Sequence, residues 1–177
     1  MNSILADPGL WKQLGFRSGI EIHQQLDTRK KLFCHCPAGE YSTEWHAEVM
    51  RHMRPTMSEL GEYDGTALME FKTKKRIIYL LNRRTVCTYE MDDNPPFPIN
   101  QEAVDKALTI ALALGCKIVG ELHVIRKQYL DGSITAGFQR TTIVGVDGEL
   151  ELSSGKRVPI IQLGLEEDAC REVSDVG

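Results

Sequence analysis

No stretch of the 177-residue sequence is apolar for the about 20 residues that a bilayer-spanning helix requires. The first residues, Met1 to Gly9, lack the basic start and apolar stretch of a secretory leader, so the chain reads as an intracellular, cytoplasmic protein with no membrane partner. Its five cysteines are then not expected to form a disulfide framework, which belongs to oxidising compartments. An excess of positive charge is also missing. The formal net charge is -4, so no global basic field draws the chain to nucleic acid. There is no Walker loop, and a nucleotide bound here needs a site of another type. Internal repeats and low-complexity segments are absent as well.

What is present fits a soluble globular domain. Hydrophobic residues make up 42% and charged residues 26%. The length allows one good-sized core or two small ones. Basic residues cluster at Arg29 to Lys31, at Lys72 to Arg76 and at Arg83-Arg84. By composition alone such clusters read as solvated faces.

Asp7-Pro8 opens a short helix that Gly15 closes. From Arg17 to Asp27 the pattern alternates, with Ile20 and Ile22 on one side and Glu21, His23 and Gln25 on the other, as in a strand. Residues 41–57 fit strand or helix. Asp64 to Arg76 reads as a helix with a basic end, and Ile77–Leu81 and Val86–Met91 as strands. The prolines of 92–98 enforce a loop. Asn100 caps a helix whose apolar stripe is Val104, Ala107, Leu108, Ala111 and Leu112, and Gly115 ends it. Strand-like runs follow at 118–127, 138–146, 149–152 and 157–167, with Asp147-Gly148 and Ser154-Gly155 between them as hairpin turns. The expected class is α+β, a mainly antiparallel sheet with packed helices.

Several groups could carry chemistry. Glu21 and His23, two apart on a strand, would lie about 6–7 Å apart on one face, close enough to share a metal ion. The same spacing also describes a polar strand face in water. Glu166-Glu167-Asp168 repel one another unless a cation sits among them, or form a plain acidic turn. Cys34, Cys36 and Cys87 offer three of the four donors that zinc takes, and His35 or Glu90 could complete the set. The signal is weak, and buried structural thiols are the simpler account. Arg126-Lys127, near Asp131-Gly132-Ser133, could hold phosphate or form an exposed strand end.

These pieces together resemble one family. Gly19 to Thr28 (GIEIHQQLDT) and Lys31 to Pro37 (KLFCHCP) are similar to the opening of the B/E subunits of tRNA-dependent amidotransferases. Asn100 to Tyr129 resembles their next block, a helix ending in A-L-x-L, a strand and R-K-x-Y. Leu165 to Ala169 resembles the L-E-E-D-A signature. Asp131-Gly132-Ser133 and Gly137 to Thr141 match the archaeal E branch rather than the bacterial B branch.

The resemblance implies a mainly antiparallel "cradle" fold. Residues 1–177 would be its N-terminal part, with the rest of that domain and the tRNA-binding domains lying beyond. It implies phosphorylation of the glutamate γ-carboxylate on mischarged Glu-tRNA(Gln) with ATP and magnesium. Amidation would follow, with ammonia from an asparaginase-like D subunit. It implies Glu21, His23 and Glu167 as metal ligands and Lys127 as a catalytic group near the reaction centre. The chemistry is coherent. A carboxylate resists attack because of its own charge, phosphorylation supplies a leaving group, and a metal offsets charge on the phosphoryl. Many bacterial relatives pair C-x-C with C-x-x-C, but Cys87 is followed by Glu90 in that frame, so a complete zinc site is not expected. The 177 residues by themselves are expected to be inactive. Two other classes compete: a non-catalytic structural domain that binds tRNA or a partner, and a small zinc module on the three thiols.

Overall fold

The computed structural model describes residues 8–58, 60–74 and 76–173. Among the described residues, three helices, α1 (Pro8–Gln13), α2 (Gly65–Lys72) and α3 (Gln101–Ala113), accompany six strands. The strands are β1 (Ala47–Arg51), β2 (Ile77–Leu81), β3 (Lys117–Ile118), β4 (Ile125–Gln128), β5 (Phe138–Glu151) and β6 (Arg157–Glu166). Their pairings are antiparallel, and the class is α+β, as the hydrophobic pattern implied. The ambiguous stretch 41–57 contains β1, which pairs with β2 as a two-stranded sheet. The larger sheet is organised by β5. Along one edge it takes β3 and then β4, and along the other it takes β6.

Helix α3 anchors the core. The Asn100 side chain accepts a hydrogen bond from the Glu102 amide at 3.0 Å, which satisfies one of the free donors at the helix start. Gly115, at φ 64, ends the helix in the left-handed region that glycine tolerates. Ala103, Val104, Ala107 and Ala111 form the buried face and pack on Val144, Cys116 and Leu165. Leu112, expected in that stripe, is 65% exposed. The face that reaches the sheet is narrower than the apolar pattern because small residues let the helix sit close.

That closeness explains one departure from the sequence expectation. Asp147-Gly148 is not a hairpin turn; it lies inside the continuous β5. A Cβ on Gly148 would come within 2.5 Å of Cys116 Sγ and 2.8 Å of the Leu114 carbonyl. Glycine is there because the end of α3 presses on the strand, not because the chain reverses. The true reversal is at Ser154-Gly155, where Leu152 donates to the Lys156 carbonyl at 2.8 Å and Gly155 has φ 77.

Other expectations shift. Residues 118–127 are not one strand but β3 and β4 with a break between them. Residues 17–27 run without ladder partners, and Ile20 and Ile22 are 89% and 84% exposed. Alternation alone makes no strand when no neighbouring strand offers it hydrogen bonds. Val86–Met91 is not a strand either. Val86 donates to Asn82 at 3.0 Å and Met91 to Cys87 at 3.3 Å, which is the bonding of helical turns. The expected helix at 64–76 is realised as α2, capped by Asp64, whose carboxylate accepts from Ala67. The short N-terminal helix is present as α1, but its Asp7 cap lies outside the described residues, as do Lys75 and residues 174–177.

Candidate functional site

Side chains on β5 and β6 alternate between the two faces of the sheet, and this sorts the acids at the end of β6. Leu165 pairs with Thr142 and is buried in the core beside α3. Glu166 pairs with Thr141, so it points to the opposite, open face. Glu167 follows β6, donates its amide to the Arg140 carbonyl at 3.1 Å, and points back to the core face. Two adjacent glutamates thereby serve two environments.

On the open face, Glu166 gathers three partners. His23 Nδ1 lies 3.2 Å from its Oε1, and Lys127 Nζ lies 3.2 Å from its Oε2. The Thr141 hydroxyl donates to Oε2 at 3.2 Å. Glu21 joins through His23 Nε2, at 3.3 Å. Of the four residues that the resemblance implies for the metal and the reaction, Glu21, His23 and Lys127 are thus brought together, while the acid that meets them is Glu166 and the fourth, Glu167, faces the other way. The signal for Glu166 was in the sequence: a buried Leu165 forces its neighbour onto the other face. The unpaired segment that carries Glu21 and His23 is tied down elsewhere. The Tyr41 hydroxyl donates to Gln25 at 3.0 Å, and Arg171 reaches Tyr41 at 3.3 Å. The hydrogen bond from Arg171 holds the Asp168 carboxyl below its usual range.

The donor set on this face, two carboxylates and an imidazole, suits a divalent cation that also holds phosphate. The imidazole now lies between the carboxylates, one nitrogen to each, so a cation that gathers them must turn the ring aside. As they stand, the three donors are not gathered closely enough to share one ion; the His23 and Glu21 side chains, 66% and 77% exposed, have room to turn, whereas Glu166 is 22% exposed.

Glu167 is held otherwise. Its Oε1 accepts from the Arg140 amide at 2.9 Å and faces the Arg140 guanidinium at 3.4 Å. Its Oε2 accepts from the Tyr89 hydroxyl. Arg140 also donates to Tyr89 at 3.0 Å and stacks 5.2 Å from the centre of its ring. Burial, helped by the carboxylate, pushes the Tyr89 phenol up, so it stays protonated and keeps donating. Tyr89 carried no sequence signal, because the partners that give it meaning lie on β5 and beyond β6.

Next to Tyr89 is a second group. Cys34, Cys36, Cys87 and Glu90 place donor atoms within 4.8 Å of one another, the one such group among the described residues. The helical turn at 86–91 brings Cys87 and Glu90 to one side, because residues three apart on a helical turn are neighbours. A strand would have set them on opposite faces. Phe97 and Asn100 donate to the carbonyls of Phe33 and Leu32, which pins the Cys34-to-Cys36 turn to the start of α3. Glu90, rather than His35, is the fourth donor; His35 stacks on Phe97 at 4.4 Å. Lys31 bonds Glu90 Oε1 at 2.6 Å, while Oε2 is buried with no hydrogen-bond partner. Burial pushes the Cys34 thiol up, and the Cys36 thiol up to about 11. An orphaned carboxylate oxygen beside three thiols is a place that a cation would satisfy, and the donor number and types fit zinc.

Among the described residues no helix is long and apolar enough to cross a membrane. The sequence model of the GatB/GatE catalytic domain matches residues 16–177. Among curated proteins, the chain is 50% identical over 167 residues to the E subunit of a glutamyl-tRNA(Gln) amidotransferase of Aeropyrum pernix, covering 94% of this chain and 26% of that one. It is 46% identical over 167 residues to the E subunit from Methanothermobacter thermautotrophicus, covering 94% and 27%. The E subunit from Methanocaldococcus jannaschii is 44% identical over 167 residues, covering 94% and 26%. The chain thus spans about a quarter of the length of these relatives. With the match running from residue 16 through β6 and the acids that follow it, the chain belongs to the GatB/GatE catalytic domain family.

Proposed function

We propose that the protein carrying this chain phosphorylates the γ-carboxylate of glutamate mischarged on tRNA(Gln), using ATP and magnesium, and replaces the phosphate with ammonia to leave glutaminyl-tRNA(Gln). The ammonia comes from an asparaginase-like D subunit, and the assembly works in the cytoplasm. The relatives' names support an amidotransferase role on glutamyl-tRNA(Gln). The observation that carries it is the convergence of Glu21, His23, Glu166 and Lys127 on one open sheet face from three separate parts of the chain.

Each residue has a task there. Glu21, His23 and the acidic end of β6 would hold the divalent ion. Bound there, magnesium would offset the negative charge on the transferring phosphoryl group. Lys127, anchored by Glu166, offers its ammonium to the anionic oxygens of the reacting groups. Thr141 keeps Glu166 oriented when Lys127 turns to substrate. A second reading concerns the thiol group: with Glu90 Oε2 unpartnered, Cys34, Cys36, Cys87 and Glu90 hold zinc as a staple for the loop.

Lys127→Met in the assembled enzyme tests the main reading. Loss of one positioned charge at such a site costs roughly 10²–10³ in rate. ATP-dependent conversion of Glu-tRNA(Gln) should fall by that factor while tRNA affinity, read by filter binding at fixed salt, stays within twofold of wild type (about the scatter of a surface change). Full conversion by the variant would reject Lys127 as a catalytic group.

A further inference from the structure

We propose that the cavity between β1 and the start of β5 is an RNA site, which takes an unpaired nucleotide near the 3′ end of the tRNA. The proposal rests on tRNA being the substrate, as read above, and it concerns residues to which that reading gives no task.

The cavity is built by two ties. The chain that leaves β1 is drawn to β4, where the Gln128 amide donates to the Thr56 hydroxyl at 2.8 Å. The Arg51 guanidinium donates to the Thr135 carbonyl at 3.0 Å and to the Met91 carbonyl. Beside these ties lies an open cavity of about 530 Å³, a size that suits one nucleotide. Met50, Arg51, His52 and Arg54 line it from one side, and Gln128 and Phe138 are among the residues that line it from the other.

Its chemistry fits a nucleotide in two respects. The first is charge. No acid lines the cavity, although acidic residues outnumber basic ones in the chain by 25 to 21. Among the described residues no carboxylate pairs with Arg51, His52, Arg54 or the neighbouring Arg126. By contrast Arg29, Arg84, Arg157 and Arg171 each face an acid. Cations without counter-charges around a concave place suit phosphate. The second respect is a flat apolar surface. The Phe138 ring lies in the lining, with the Arg126 guanidinium 5.3 Å from its centre. Met50, 57% exposed, adds a polarizable side chain. An inorganic anion has no use for a ring and a thioether, whereas an unpaired base stacks on such groups. A duplex offers no free base face, so the nucleotide is an unpaired one.

The cavity also lies in a useful place. Alternation along β4 separates the basic pair Arg126-Lys127: Lys127 meets Glu166 on the open face, and Arg126 lies over Phe138 on the other. Among the described residues β4 has β5 as its one ladder partner, so its far edge is unpaired. An RNA end that leaves the cavity passes this edge to reach the face of Lys127. The ester that the proposed reaction works on is at the 3′ end of the tRNA, where the nucleotides are unpaired.

The test is filter binding of tRNA(Gln) across a salt series, on the protein carrying this chain in its native assembly. One transcript is intact and one lacks its unpaired 3′ nucleotides. Phe138→Leu removes the ring and stays apolar. It should weaken the intact transcript about tenfold, the scale of one lost base stack, and leave the salt dependence unchanged. Arg54→Ala alters an exposed side chain. It should weaken the intact transcript severalfold and reduce the slope of log affinity against log salt by about 0.7–1, the share of one phosphate. Lys156→Ala removes the same charge at the opposite end of β5 and should stay within about twofold of wild type. The shortened transcript should bind all variants alike. Wild-type affinity in both Phe138→Leu and Arg54→Ala overturns the proposal. So does an equal loss for the two transcripts, since the contact then lies elsewhere on the RNA. A raised KM for ATP with tRNA affinity unchanged makes the cavity a mononucleotide site and overturns it too. A wild type that does not bind tRNA(Gln) overturns the substrate reading and this site with it. If Phe138→Leu does not fold, the salt slopes of Arg54→Ala and Lys156→Ala decide by the same criteria.

Discussion

Glu166→Gln and Glu167→Gln make the same chemical change at neighbouring positions, yet their costs to stability should differ sharply. Glu167→Gln removes the negative charge facing a guanidinium that is 14% exposed. Arg140 is left buried without its counter-charge, and breaking a buried pair from one side costs about 3–5 kcal/mol. The new amide also brings an N–H group to a place lined by donors, the Arg140 amide and the Tyr89 hydroxyl. Glu166→Gln strips a partner from His23 and Lys127, which are 66% and 40% exposed and can turn to water. Pairs of that kind are worth about 0–1 kcal/mol. The expected gap between the variants is therefore roughly 2–5 kcal/mol. Urea unfolding of the 177-residue chain, followed by circular dichroism in chelator at pH 7, measures it. Repeating the measurement in 1 M salt adds a control, because salt screens exposed charges much more than buried ones. The Glu167→Gln loss should persist there. Losses within about 0.5 kcal/mol of each other, the scatter of surface changes, would refute the assignment of the two acids to opposite faces.

Gly148→Ala should destabilise the chain by about 1–3 kcal/mol through overpacking against α3, and Cys116→Ala in the same chain should recover only part, because the Leu114 carbonyl would still lie 2.8 Å from the new Cβ. Urea midpoints of the single and double variants check this. Burial pushes the Cys170 thiol up from 9.0 to about 11, so the folded chain keeps a proton that the unfolded chain has lost. That contribution is complete below about pH 9 and disappears as pH rises through about 11; Cys170→Ala should flatten this limb of the stability curve. Protein purified in metal-free buffer should carry about one zinc ion per chain by mass spectrometry, and Cys87→Ser should release it, since a four-donor site reduced to three loses much of its hold. Zinc-free wild-type protein would leave the four residues as a hydrogen-bonded thiol cluster.

The sequence alone determined the features set by local physics. Asn100 and Gly115 bound α3 because capping and a left-handed end are properties of single residues. The prolines of 92–98 could form only a loop, and Ser154-Gly155 reverses the chain as its turn signal implied. The order of the motifs was enough to suggest the family. Tertiary structure decided the rest, wherever a residue's role depended on a distant neighbour. Residues 17–27 alternate like a strand but have no ladder partner. Gly148 looked like a turn and is instead a place where a helix presses on a strand. The 86–91 segment coils, which is what carries Glu90 to Cys34, Cys36 and Cys87. The acids at the end of β6 were visible as a cluster. Only the pairing of β6 with β5 could give Glu166 to the open face and Glu167 to Arg140 and Tyr89, because a face is defined by the strand on the other side of the hydrogen bonds.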